Sequence, residues 1–125
     1  MSKTIISTPN APAAIGPYSQ AVKYGDTIYV SGQLPLNPET KEMDEDVSKQ
    51  TEQSMKNIKA ILEEAGSSME EVIRCGIFVT DLGDFAAVNE VYAGFFTGDF
   101  PARATVQVAA LPLGAKVEID AIAAV

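Results

Sequence analysis

Arg103 and two carboxylates, Glu118 and Asp120, are the side chains best equipped for chemistry here, because histidine is absent and Cys75 is the single thiol. Without imidazole and with one sulfur ligand, neither the commonest proton shuttle nor a metal centre can be assembled convincingly. What remains is a guanidinium fork that matches a carboxylate, a carboxylate that moves a proton, hydroxyls and backbone groups. The residues lie in two stretches that read as strands, Pro101-Ala102-Arg103-Ala104-Thr105-Val106-Gln107-Val108 and Val117-Glu118-Ile119-Asp120-Ala121-Ile122-Ala123. Strand alternation sets Arg103, Thr105 and Gln107 on one face of the first, and Ala104, Val106 and Val108 on the other. In the second, Glu118, Asp120 and Ile122 oppose Val117, Ile119 and Ala121. If the apolar sets cover one core, Arg103 and both carboxylates look out together from the opposite face of the sheet. Two uses of Arg103 are then open: a clamp for a bound carboxylate, or an ion pair with Glu118 or Asp120.

The elements that must carry these strands follow from periodicity. Three strands are expected at 4–7, 20–24 and 27–31, the last two joined by the turn Tyr24-Gly25-Asp26-Thr27. The loop at 9–17 holds three prolines and a glycine, and 34–45 is a second irregular stretch. Residues 46–65 form the clearest helix: Val47, Met55, Ile58, Ile61 and Leu62 recur at helical spacing and Gly66 stops it. Ser68-Met69-Glu70-Glu71 fits a capping box for one short turn. A strand at 72–80, a helix at 84–97 and strands at 104–109 and 117–123 complete an α+β order, βββαβαββ, in one domain spanning 1–125. Both helices are available to one face of a mixed sheet. Since 72–79 is apolar on both faces, the uncovered face should meet another copy of the chain.

Four further residues qualify as site candidates. Asn89 is an amide on the apolar stripe of Phe85, Tyr92 and Phe96, where it must find a partner. Tyr18 follows Gly16-Pro17 on a stiff loop, and Ser31-Gly32 ends a strand with a hydroxyl and a bare backbone N–H that suit an anion. Cys75, in mid-strand, reads as a buried filler. A net charge of −8, from nine basic and seventeen acidic side chains, leaves no basic stripe for nucleic acid. No stretch has the length of a membrane span or the apolar core of a signal peptide, so the cytoplasm is the expected location.

Several segments together resemble the Rid family (YjgF-type, reactive-intermediate deaminases). They are Ala14-Ile15-Gly16-Pro17-Tyr18-Ser19-Gln20-Ala21, Val30-Ser31-Gly32-Gln33-Leu34-Pro35, Asn57-Ile58-Lys59-Ala60-Ile61-Leu62, Val88-Asn89-Glu90-Val91-Tyr92, Pro101-Ala102-Arg103 and the strand from Val117 to Ala123. The resemblance runs in order through the whole chain. It implies a chorismate-mutase-like fold and a homotrimer around a central barrel, with one site at each subunit boundary. It also implies cofactor-free hydrolysis of 2-imino acids and their enamine tautomers (2-aminoacrylate, 2-iminopropanoate, 2-iminobutanoate) to 2-keto acids and ammonia. On this resemblance Arg103 grips the substrate carboxylate, helped by the Gly32 N–H and the Ser31 hydroxyl. Glu118 orients or activates water, the Thr105 carbonyl helps place that water, and Tyr18 and Asn89 arrive from the neighbouring chain. Many deaminating relatives carry cysteine where this chain has Thr105, so a backbone role survives there but a thiol role does not. Two other readings use the same residues: a non-enzymatic trimer that senses small carboxylates or keto acids, and a stress holdase. The lack of histidine and the acidic charge weigh against a nuclease.

Overall fold

The last strand of the chain is the middle of the sheet. A computed structural model describes residues 2–125, with Met1 outside the described residues. It contains β1 (Thr4–Ile6), β2 (Ala21–Tyr24), β3 (Thr27–Gln33), α1 (Val47–Glu64), β4 (Val72–Val79), α2 (Phe85–Ala93), β5 (Ala102–Gln107) and β6 (Val117–Ala124). The sheet order is β1-β2-β3-β6-β4-β5. All neighbours are antiparallel except β4 and β5, which α2 joins as a parallel crossover. β6 therefore bonds to strands on both sides, and its alternate residues Val117, Ile119, Ala121 and Ala123 are buried beneath the helices.

Helix α1 forms where its pattern predicts. The Asp46 carboxylate accepts from the Lys49 N–H at 3.1 Å, capping the first turn, and Gly66 with φ +82° lets the chain leave. Met55, Ile58, Ile61 and Leu62 are wholly buried against the sheet. The same face carries polar groups with assigned tasks. Ser54 Oγ donates to the Gln33 carbonyl at 2.9 Å, and Asn57 Nδ2 donates to Leu34 and Leu36 at 3.2 and 3.0 Å. The irregular stretch after β3 is thus tied to the helix, and the Leu36–Met43 bridge closes it.

Three sequence expectations need correction. α2 ends at Ala93 rather than near 97: the N–H groups of Phe95 and Phe96 bond three residues back, so Gly94 begins a tighter turn. The Ser68 side chain makes no capping bond, and the turn at Met69–Glu71 is closed by the backbone, Glu71 N–H to Ser68 carbonyl at 3.1 Å. β5 also begins and ends two residues earlier than 104–109.

Both helices lie on one face. On the other, Tyr29 and Val106 are 51% and 45% exposed, and Phe78 and Ile122 are half-buried. No helix among the described residues is long and apolar enough to cross a membrane. The proline-rich loop is held by one buried amide: Gln20 Oε1 accepts from Thr8 N–H at 2.7 Å, and Gln20 Nε2 faces the carbonyls of Thr8, Ala11 and Pro12 at 3.1, 3.3 and 2.8 Å. Truncation there strands several buried backbone groups at once. Gln20→Ala is expected to lower the unfolding free energy by about 2–4 kcal/mol in denaturant titration, with an unchanged m-value.

Candidate active site

β5 is an edge strand, and its parallel register with β4 sets Arg103 opposite Cys75 and Thr105 opposite Ile77. Cys75 and Ile77 are fully buried under the helices, so Arg103 and Thr105 turn to the helix side while Ala104 and Val106 are exposed on the open face. This reverses the expected facing of β5. The cause is α2, which supplies what a guanidinium needs: Arg103 Nη1 donates to Asn89 Oδ1 at 2.7 Å. The guanidinium carbon also lies 5.2 Å from the Tyr92 ring centre and 5.5 Å from that of Phe85. A weakly hydrated planar cation is well housed against aromatic rings. Phe85, Asn89 and Tyr92 stand four and three residues apart, so one side of α2 brings all three to the cation.

The expected ion pair does not form, because Arg103 and the carboxylates Glu118 and Asp120 lie on opposite faces of the sheet. Among the described residues the salt bridge is Lys56–Glu52, on the surface of α1. Asn89 belongs to the same chain as Arg103, which corrects its expected arrival from a neighbour. Beside the guanidinium opens a hollow of about 340 Å³ lined by Asn89, Tyr92, Ala93, Phe100, Pro101 and Arg103. Two buried hydroxyls nearby, Tyr92 Oη and Thr105 Oγ1, have no hydrogen-bond partner. Burial drives the Tyr92 phenol well above its usual range, reinforced by Cys75, and burial likewise pushes up the Cys75 thiol.

Glu118 occupies a separate niche on the open face. Val30 pairs with Ala121 and Gln33 with Ile119, leaving Ser31 and Gly32 together opposite Asp120 as a β-bulge. The bulge brings Gly32 against Glu118 so closely that a Cβ at position 32 would overlap Oε2. On the other side Asp120 Oδ1 accepts from the Gly76 N–H at 2.8 Å. Burial first, and the Asp120 charge second, hold the Glu118 carboxyl above its ordinary pKa. Ser31 Oγ donates to the Ser19 carbonyl at 2.6 Å, so its proton is committed within the chain.

Tyr18 is half-exposed and lines another groove, of about 880 Å³, between the loop after β1 and residues 36–41. The candidates therefore fall into three places. Arg103, Asn89 and Thr105 lie on the helix side of β5, Glu118, Ser31 and Gly32 lie around the bulge, and Tyr18 lies on the loop. The sequence reading assigned Phe85 and Tyr92 to the helical core stripe and did not single out Phe100. The signal for the first two was already present, as they flank the one amide on that stripe.

A family model described as Endoribonuclease L-PSP matches residues 8–125. The chain is 53% identical to the 2-iminobutanoate/2-iminopropanoate deaminase of Escherichia coli, over 98% of each chain. Among solved structures, RidA from an Antarctic Psychrobacter superposes with a TM-score of 0.95 at 52% identity, covering 98% of this chain and 99% of that one. The Escherichia coli protein TdcF with bound serine superposes with a TM-score of 0.95 at 47% identity, covering 98% of each chain.

The raised pKa of Glu118 has a thermodynamic sign. A carboxyl that binds its proton more tightly when folded contributes no destabilisation in acid, and a cost as pH rises through its folded pKa. Glu118→Gln is accordingly expected to melt higher than the parent at pH 7, with the difference vanishing toward pH 4, in calorimetric scans across that range.

Proposed function

The chain belongs to the YjgF/Rid family, and we propose that it is a hydrolytic deaminase of 2-imino acids, working where two copies of the chain meet. The observation that carries this reading is the held guanidinium, tied on one nitrogen by Asn89 and open to the hollow beside it. Its free donors match a substrate carboxylate in planar, bidentate fashion. Relatives named as deaminases and a relative holding serine both agree with a small carboxylate as ligand.

Water adds to the imine carbon and gives a tetrahedral amino alcohol. Its proton passes to Glu118, which returns a proton to the nitrogen. The C–N bond then breaks, the C–O pair closes to the ketone, and ammonia leaves beside a 2-keto acid. An iminium carbon is strongly electrophilic already, so general acid–base help of about 10²–10⁴-fold suffices and no cofactor is required. A carboxyl with a raised pKa is suited to hold and release that proton.

Because Arg103 and Glu118 lie on opposite faces within one chain, we assign them to different copies in each site. Arg103, Asn89 and the Thr105 carbonyl come from one copy. Glu118 and the Ser31-Gly32 bulge come from the next, and Tyr18 closes the boundary. The apolar open face, with Tyr29, Phe78, Val106 and Ile122, supports such packing. A homotrimer around a central barrel satisfies both demands.

Two experiments test this reading. Ammonia release from freshly generated 2-iminopropanoate and 2-iminobutanoate is expected to exceed the spontaneous rate. Arg103→Ala should lose at least about 100-fold in kcat/KM and Arg103→Lys somewhat less, since charge survives but the fork does not. Parent rates equal to the spontaneous ones remove the enzyme, and keto-acid binding without turnover leaves a small-carboxylate sensor. In the second, inactive Arg103→Ala and Glu118→Gln proteins are dissociated, mixed equally and reassembled. Sites built from two copies recover about a quarter of parental activity, as random pairing in a closed ring dictates. No recovery means that each site is built from one copy.

A further inference from the structure

The Arg103 clamp fixes more than a carboxylate. With Nη1 bound to Asn89 and the guanidinium plane near Tyr92 and Phe85, the donors left for a ligand point in one direction. A carboxylate docked there must send its carbon chain along the remaining lining of the hollow. Apart from Asn89 and Arg103, that lining is Tyr92, Ala93, Phe100 and Pro101, which offer a ligand almost wholly apolar surface.

The outer wall is built to stay in place. Phe96 packs 5.0 Å from Tyr92 between ring centres, and Phe100 meets Phe96 edge-on at 6.2 Å. Phe100 is nevertheless 62% exposed, a large ring in water beside a hollow that a methyl group cannot fill. At about 340 Å³ the hollow reaches the lower end of the size range of small-molecule sites, roughly 300–1,000 Å³. A methyl or ethyl side chain would leave most of it to water.

Resting on the deaminase reading for the carboxylate's partner, we infer that this hollow is the side-chain subsite, and that it selects bulky apolar 2-imino acids. Those derived from leucine, methionine or phenylalanine fill it, while those from alanine or serine do not. Each methylene removed from water against Tyr92 and Phe100 strengthens binding by about three- to fourfold. A charged or strongly polar side chain gains nothing there and loses hydration.

Stable 2-keto acids carry the same carboxylate and side chains without turning over. Calorimetric titration of the assembled protein with the keto acids of alanine, 2-aminobutyrate, leucine and phenylalanine is expected to give Kd values that fall along the series. Ala93→Leu, which fills the floor, should cut the leucine-to-alanine affinity ratio at least about tenfold. Phe100→Ala removes an exposed wall outside the core and should flatten the same series. A Kd independent of side chain, or rising with size, overturns the subsite. So does a series that both substitutions leave unchanged. Turnover is read separately: graded binding without accelerated imine hydrolysis keeps the subsite and removes the deaminase, and acceleration with ungraded binding does the reverse.

Discussion

Strand β6 must serve two faces at once, and the organisation of the molecule follows from that constraint. Its backbone is bonded to β3 and β4, so neither face can be turned away from its neighbours. Period-two alternation then sends Val117, Ile119, Ala121 and Ala123 into the helix-covered core and Glu118, Asp120 and Ile122 to the open side. A slip by one residue would bury two carboxylates under α1, an expensive exchange that fixes the register. The carboxylates are accommodated because the flanking strands present glycine beside each of them, Gly32 next to Glu118 and Gly76 next to Asp120.

The edge strand β5 works under a looser rule, because its helix-side face is covered by α2 alone. That cover is part aromatic and part amide, so it accepts a guanidinium where a fully apolar helix would exclude one. Phe85 and Tyr92 shield the flat surfaces of Arg103, and Asn89 satisfies one donor. The cation is thereby held in a single pose at the margin of the core. Side-chain freedom that a free arginine surrenders on gripping a ligand has been surrendered on folding.

How much of this is legible in the sequence differs by element. α1 is readable throughout, because its apolar period, Asp46 cap and Gly66 stop agree with one another. β6 is readable for the same reason. β5 shows its alternation clearly but not which face meets the helices, since Ala104 and Val106 look like core and Arg103 does not. Apolarity separates the two faces of a strand; it does not orient them when the sheet has a second apolar side. The end of α2 is misread because Phe95 and Phe96 continue the period through a turn that Gly94 has already tightened. Of the site, Asn89 is legible as a misplaced amide, whereas the partition of Arg103 and Glu118 to opposite faces needs the sheet order. That order depends on pairings between distant segments, which no local pattern encodes.

The bare side of the sheet also sets the conditions under which the chain can be made. That surface exists only after β6, the last segment synthesised, has threaded between β3 and β4, so the native edges and the apolar patch appear together and late. Sheets assembled from distant segments fold slowly, and β5 and β1 present unpaired backbone while they wait. A net charge of −8 on 125 residues keeps like chains apart over a Debye length of about 10 Å during that interval. The acidity that contributes little to the chemistry acts as colloidal protection for a surface that is adhesive by design.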